Sequence, residues 1–371
     1  MSKWTKTTLG KIADIITGPF GSQLHQSDYV KRGIPIVMPQ DIGNRNINYS
    51  TINYVSEEDA TRLKRYSTVA NDILYARRGD VEKHAFVRAK DAGVLCGTGC
   101  LRVRINSNEV EPAFLSFYLN REETRKWLVT HAVGTNMPNL NTDILSDVPI
   151  AYPTLKEQRK NVKVLNCLEE RIVLNEKIND NLTAMAYDIY MHSFFSKKPN
   201  AKLKDILVEA DKSSVQVGEA KQSTGEYPFF TSGSAILKWD TPFIDGRNCF
   251  LNTGGNADVK FYVGEAAYST DTWCISANNN MSDYLYLLLV SIKPELNQKF
   301  FQGTGLKHLQ KPLLKDRPIY IPDFEELKTF NEQVTPMFNI ISENTRENQE
   351  LITLRDWLLP MLMNGQATIS D

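Results

Sequence analysis

Few residues of this 371-residue chain are spaced for bond-making chemistry. Glu219-Ala220-Lys221 has the Glu-x-Lys form of a metal-dependent nuclease site, but no well-placed upstream carboxylate in a strand accompanies it. Cys96 and Cys100 stand four apart, and no second pair of ligands follows to complete the tetrahedral set that zinc requires. The five histidines (His25, His84, His131, His192 and His308) are scattered, and each reads as a surface or loop residue. Arg78-Gly79-Asp80 reads as a turn. A glycine-rich cofactor loop, a P-loop lysine motif and the Asn/Asp-Pro-Pro-Tyr/Phe signature of amino-methyltransferases are all missing. These omissions exclude the common catalytic classes and leave polar loops on two scaffolds as the functional content.

The scaffolds are organised by two long helices. Thr154 with Glu157 three residues on forms a capping box, the start signal of a helix. Leu165, Leu168, Ile172, Asn175, Asn179, Leu182, Ala186 and Ile189 then recur at three- and four-residue steps. About 40 residues without proline or glycine make a rod roughly 60 Å long, whose apolar stripe needs a partner helix. That partner begins 169 positions later, at Asp323 with Glu326, and its seam reads Val334, Met337, Ile341, Asn344, Asn348, Leu351, Arg355, Leu358 and Leu362. The same offset relates Asn175 to Asn344 and Asn179 to Asn348. Polar seam residues cost stability and fix register, so matched ones point to two helices built to pair.

Composition sets bounds. The length suggests two or three domains with ample core. Net charge is −1 overall but uneven: +3 over 1–152, +2 over 153–199, 0 over 200–322 and −6 over 323–371. The acidic last segment should face something other than a phosphate backbone. The N-terminus carries no apolar signal segment, and no run of about 18 apolar residues spans a membrane. Five unpaired cysteines suit a reducing cytoplasm.

The stretches between the helices repeat as well. Leu9-Gly10-Lys11-Ile12 matches Leu203-Lys204-Asp205-Ile206, and Ile34–Val37 matches Tyr227–Phe230. The strand and turn at 73–79 match Cys249–Gly255, Phe114–Tyr118 match Tyr284–Leu288, and Gly134 with Pro149 match Gly303 with Pro318. One helical segment is expected over Glu111–Val133. A period this long is a domain duplication. Four segments follow: 1–152, a mostly β globule; 153–199, a long helix; 200–322, a second globule; and 323–371, a second long helix. Frame residues recur while loop residues differ, as in two binding modules for different ligands.

Gly134-Thr135-Asn136-Met137-Pro138-Asn139-Leu140, then Pro149-Ile150, then Pro153-x-Leu155-x-Glu157-Gln158, resembles the end of a target recognition domain and its following helix in the specificity subunit of type I restriction-modification systems. The strand and turn Asp72–Gly79 resemble that family too, and globule–helix–globule–helix is its architecture. Leu327 departs from the expected glutamine, His308 from the loop asparagine, and Pro336 should kink or break the second helix. The resemblance implies an α+β fold of two mostly β target recognition domains in tandem duplication, separated by an antiparallel pair of long coiled-coil-like helices with pseudo-two-fold symmetry. It implies a non-catalytic, cytoplasmic, DNA-binding subunit, each domain reading one half of a split asymmetric target while the helices set the gap. Two methyltransferase subunits carrying S-adenosylmethionine dock on it and methylate adenine, and motor-nuclease (restriction) subunits join; this chain holds no cofactor of its own. Two rival readings are a coiled-coil scaffold for protein partners and a self-sufficient endonuclease using Glu219.

On that reading, side chains that pair donors and acceptors with base edges or hold phosphates are the candidates. In the first globule they are Gln40, Asn44, Arg45, Lys64, Arg65, Arg77, Arg78, Lys83 and His84. In the second they are Ser232, Ser234, Lys238, Asn252, Asn256, Lys260, Lys307 and His308. Arg77, Arg78 and Lys260 lead, being assigned to the turn of one repeated hairpin. With so little net charge, the chain alone should bind DNA weakly. Arg171, Tyr187 and Tyr190 on the first helix, and Phe338, Ile340, Ile352, Trp357 and Leu359 on the second, are expected to face away from the seam and dock partners.

Overall fold

The computed structural model describes residues 4–134 and 138–369, so Thr135, Asn136 and Met137 of the resemblance motif lie outside the described residues. The chain forms two compact units, residues 1–169 with 353–371, and residues 170–352. Both long helices are present, each 40 residues, at Leu155–Phe194 and Phe324–Met363. Each compact unit therefore takes one globule and a stretch of each helix.

The helix starts follow their capping signals. The Glu157 carboxylate accepts the Thr154 N–H at 3.1 Å. Asp323 and Glu326 close a full box, with the Glu326 N–H on Asp323 Oδ1 at 2.9 Å and the Asp323 N–H on Glu326 Oε2 at 3.2 Å. Lys197 and Tyr320 also bond Glu326 and hold its carboxyl down to about 2. Gln158, fully buried, uses its amide to accept from the Glu111 N–H and donate to the Glu109 and Pro153 carbonyls. Leu327, its counterpart, packs against the second core instead, so an apolar contact replaces that network.

Within residues 170–352, the seam runs antiparallel. Asn175 Nδ2 donates to Asn348 Oδ1 at 2.9 Å, and Asn344 Nδ2 donates to Asn179 Oδ1 at 2.8 Å. Rising numbers on one helix meet falling numbers on the other. The four repeated asparagines pair across an apolar stripe, with Asn179 and Asn348 donating in turn to the Ile341 and Ile172 carbonyls, contacts that an out-of-register pairing would lose. Arg171, 52% exposed beside this layer, binds the Glu347 carboxylate at 3.0 and 3.1 Å, so an off-seam residue also ties the two helices together. Within the other unit, Asn161 Nδ2 reaches the Leu362 carbonyl at 3.1 Å, and Leu165, Leu359 and Leu362 share one core.

The central sheets of the two globules share one strand order. Strands Ala13–Thr17, Cys100–Ile105, Ile73–Ala76 and His84–Phe86 lie side by side in that order; Leu207–Glu209, Thr272–Ala277, Arg247–Asn252 and Val259–Val263 repeat it. A second sheet in each contains one parallel pair, Ile34–Val37 with Leu95–Cys96 and Tyr227–Phe230 with Ala267–Tyr268. Antiparallel ladders Thr5–Thr8 on Pro149–Tyr152, and Ala201–Lys202 on Pro318–Ile319, close each globule just before its long helix.

Several expectations are corrected. Residues 111–133 form two helices, Pro112–Leu119 and Glu122–His131, because Arg121 is extended. Its guanidinium lies 3.6 Å over the Tyr118 ring, which pins the break. The second long helix passes through Pro336 without interruption. Tyr190, Phe338 and Leu359 are buried and Tyr187 half-buried in the cores, leaving Ile340, Ile352 and Trp357 as exposed members of the expected docking faces. Among the described residues, no helix is long and apolar enough to cross a membrane.

Candidate nucleic-acid interface

The repeated hairpin places two turns on one backbone frame. In the first globule the Arg77 N–H donates to the Gly99 carbonyl at 2.8 Å, and the Arg77 carbonyl accepts from the Leu140 N–H at 2.9 Å. In the second, the Thr253 N–H donates to Asp271 at 3.0 Å, and the Thr253 carbonyl accepts from Leu309 at 2.9 Å. Arg78 bridges Asn139 as Gly254 bridges His308. Gly79 and Gly255 both adopt φ +82°, the left-handed turn position that favours glycine. Three segments thus converge at the same end of each central sheet.

The candidates divide on this frame. Arg78 is exposed and Arg77 half-buried at the first turn, with Lys83 on the same turn held by Asp80 at 2.5 Å. Lys307, His308 and Asn256 are exposed around the second turn, where the Gly255 N–H binds the Lys307 carbonyl at 2.9 Å. Gln40 and Asn44 are exposed on a separate loop. Lys64 and Arg65 are exposed but belong to a turn whose carbonyls accept from Arg102 and Arg104, at the Asp72 end of the strand whose other end carries Arg77. They do not join the hairpin cluster. Ser232 and Ser234 lie in the turn that joins strands Tyr227–Phe230 and Ile236–Trp239, and Lys238 lies on the second of these strands opposite Pro228.

Four candidates are structural. Arg45 is buried at φ +60°, donating from Nε to Ser116 Oγ at 2.9 Å and from Nη1 to Glu169 Oε1 at 2.5 Å. His84 is buried with Nε2 2.9 Å from the same Ser116 hydroxyl. Asn252 is buried and ties the second turn from inside: its amide donates to the Gly254 and Asn256 carbonyls at 2.6 and 2.5 Å and accepts the Asp258 N–H at 2.7 Å. Lys260 lies in strand Val259–Val263 rather than on the turn, and its ammonium bonds the Thr231 carbonyl at 2.8 Å and the Gly233 carbonyl. Burial lowers its pKa. Arg45, Asn252 and Lys260 spend their donors on the protein, and His84 is buried at 1% exposure, so none is placed to read a base.

Sequence reasoning missed the anchors of the second globule. Arg247 forks onto Asp283 at 2.7 and 2.8 Å, and Asp283 also accepts the Thr335 hydroxyl at 2.8 Å. Only the recurrence of a helix at 282–291 hinted at a polar clamp there. Glu219 merely accepts the Gln216 N–H at the start of a four-residue helix. Among the described residues, no group of three or more His, Cys, Asp or Glu side chains could hold a metal ion. Burial pushes the Cys96 thiol up to about 12.

The buried histidine gives a pH prediction. Burial, with Arg45 beside it, lowers His84 from its ordinary value to about 3. A depressed folded-state pKa contributes stability above the unfolded value, near 6.5, which is lost as pH falls towards 3. Stability of the first unit should therefore fall below pH 6.5 with an added slope of up to about 1.4 kcal/mol per pH unit. Urea denaturation of the wild-type chain and of His84→Gln at pH 7.5, 6 and 5 measures this; parallel curves for the two would contradict it.

Comparison with known proteins follows the same two-part plan. A family model described as "Type I restriction modification DNA specificity domain" matches residues 1–184 and again 197–353. The HindI type I restriction enzyme specificity subunit of Haemophilus influenzae is 23% identical, over 99% of this chain and 100% of its own. The MjaIX specificity subunit of Methanocaldococcus jannaschii is 20% identical, over 97% of this chain and 93% of its own. A crystal structure of the type I restriction-modification S subunit from M. genitalium superposes with a TM-score of 0.62 at 16% identity, covering 98% of this chain and 96% of that one, which shows a shared fold.

Proposed function

The chain belongs to the type I restriction-modification DNA specificity family, twice over, and on that premise we propose a division of labour between its two recognition domains. It is a specificity subunit with two recognition domains in tandem. Each domain reads one part of a split, asymmetric site in double-stranded DNA, and the helix pair sets the distance between the parts. Two methyltransferase subunits, carrying S-adenosylmethionine, dock on this chain and methylate adenine; motor-nuclease subunits join them for cleavage. The chain itself makes and breaks no bonds, needs no cofactor, and works in the cytoplasm.

The observation that carries this reading is the pair of matching hairpin frames, with Arg77-Arg78-Gly79 on one and Thr253-Gly254-Gly255 on the other. An identical backbone presenting different side chains suits two readers of unlike sequence. Modest charge on each globule suits a reader whose phosphate grip comes from its partners. Glu219, engaged in capping, gives the nuclease alternative no support.

The test is co-expression with the cognate methyltransferase subunit, followed by sequencing for methylated adenines. A two-part motif with a fixed gap is expected. Replacing residues 200–322 with the same block of another family member should alter one part and leave the other part and the gap intact. Methylation without any two-part motif, or a block exchange that alters both parts, counts against the reading.

A further inference from the structure

We propose that three frame positions per domain are its base readers: Arg77, Thr98 and Asn139 in the first, and Thr253, Thr270 and His308 in the second. The proposal rests on the DNA-reading function above and assigns its specificity to particular side chains. The equivalence comes from the backbone. Arg77 and Thr253 hold the same two hydrogen bonds, and Asn139 and His308 occupy the same bridge position. Thr98 and Thr270 precede the residues, Gly99 and Asp271, whose carbonyls receive those bonds. Each set brings one residue from the hairpin turn, one from the turn before the next strand, and one from the loop ahead of the long helix.

The first set also carries an observation that points to a ligand. Among the described residues, Arg77 Nε, Thr98 Oγ1 and Asn139 Oδ1 are shielded from solvent without a hydrogen-bond partner. Buried polar groups are nearly always paired, because leaving one unpaired forfeits its hydration without return. Here a guanidinium donor, a hydroxyl and an amide acceptor lie unpaired on half-buried side chains of three segments that the frame holds together, so that rotation of those side chains turns them towards a base edge. No ion pair is recorded for Arg77 among the described residues, although Lys83 on the same turn is neutralised by Asp80. Arginine and asparagine are the side chains whose geometry matches guanine and adenine edges two bonds at a time. In the second set the Thr253 hydroxyl donates to the Asp271 carbonyl at 3.0 Å and keeps its oxygen as an acceptor, and a cavity of about 390 Å³ opens beside Thr253 and Thr270 and reaches Lys311, leaving room for contacts of a different chemistry. The complement Arg-Thr-Asn against Thr-Thr-His predicts that the two domains read different bases.

The experiment uses the full chain in its methyltransferase complex, reading motifs by sequencing methylated DNA. The wild type must show a two-part motif; if it does not, the underlying DNA-reading function fails, and the frame assignment with it. The double variant R77T/N139H gives the first domain the second domain's side chains. The expected result is a changed base preference in one part of the motif only, with preference for the original base down roughly 5- to 150-fold at the affected position. An unchanged motif with methylation intact overturns the frame assignment and leaves DNA recognition standing. R77K keeps the charge but loses the planar fork, so it should relax preference at one position; a preserved preference overturns the role of Arg77. If R77T/N139H methylates nothing, the assembled complex is offered duplexes randomised in that part of the site. Enrichment of the original bases overturns the proposal, and enrichment of different bases supports it.

Discussion

Glu169→Ala destabilises the first unit by about 3–5 kcal/mol, the range for stripping one partner from a buried ion pair. Arg45 is 3% exposed and Glu169 15%. The guanidinium lies 3.3 Å from the centre of the Phe117 ring, with its Nε on Ser116 Oγ at 2.9 Å. Burial lowers its pKa to about 10, and Glu169 is the chief force opposing that drop. Without the carboxylate, a cation stays in an apolar site with Arg88, another cation held by Glu169 at 3.4 Å, nearby. Removing both charges with R45M/E169A should recover most of the loss, because the penalty belongs to the uncompensated charge. Urea denaturation of the three variants decides it. A Glu169→Ala change within 0.5 kcal/mol of wild type would show that the pair contributes nothing. Because the Arg45 N–H also holds the His84 carbonyl at 2.8 Å, losing this anchor should speed hydrogen exchange over residues 39–46.

Phe338→Ala should cost the second unit about 3–5 kcal/mol. Phe338 is 1% exposed, with its ring centre 4.8 Å from that of Phe261 and 5.3 Å from Tyr286, the latter edge-on. Those rings come from a strand and a helix of the globule, so one aromatic seats the globule on the long helix, and truncation leaves a cavity that a sheet and helix cannot both close. Trp357 is the control. It also sits on the second long helix but is 57% exposed, and Trp357→Ala should change stability by no more than about 0.5 kcal/mol. Similar losses from both would show that the Phe338 site relaxes freely.

The long-range plan was legible because it rests on periodicity and repetition. Thr154 and Asp323 announce the helices, and the asparagines spaced 169 apart announce their pairing. The cross-pairs, Asn175 with Asn348 and Asn179 with Asn344, follow once the direction is antiparallel. Burial of polar residues was not legible. Arg45 in a string of turn-formers reads as exposed, yet a positive φ swings it inward beneath the loop it was expected to serve. Asn252 and Lys260 look like readers by residue type, and only tertiary neighbours reveal that nearby carbonyls consume their donors. Phe338 and Tyr190 lie off the seam at helical spacing, and the sequence does not say that a globule covers that side. Pro336 was overvalued as a breaker, since tertiary packing of Phe338 and Val334 overrides local propensity. Thr98 carried no signal at all; its role emerges only when Gly99 and Asp271 are seen to accept the same bond.

The division at residues 169 and 353 has a consequence for birth on the ribosome. Residues 170–352 are contiguous, so the second unit can close as soon as its own sequence has emerged. The first unit, although synthesised earlier, shares its core with Leu359, Leu362 and Met363. At about 5–20 residues per second, it waits some 10–40 s with that core open. The N-terminal globule is therefore the last to mature, and the interval is when chaperones, or a partner subunit already made, have access to it.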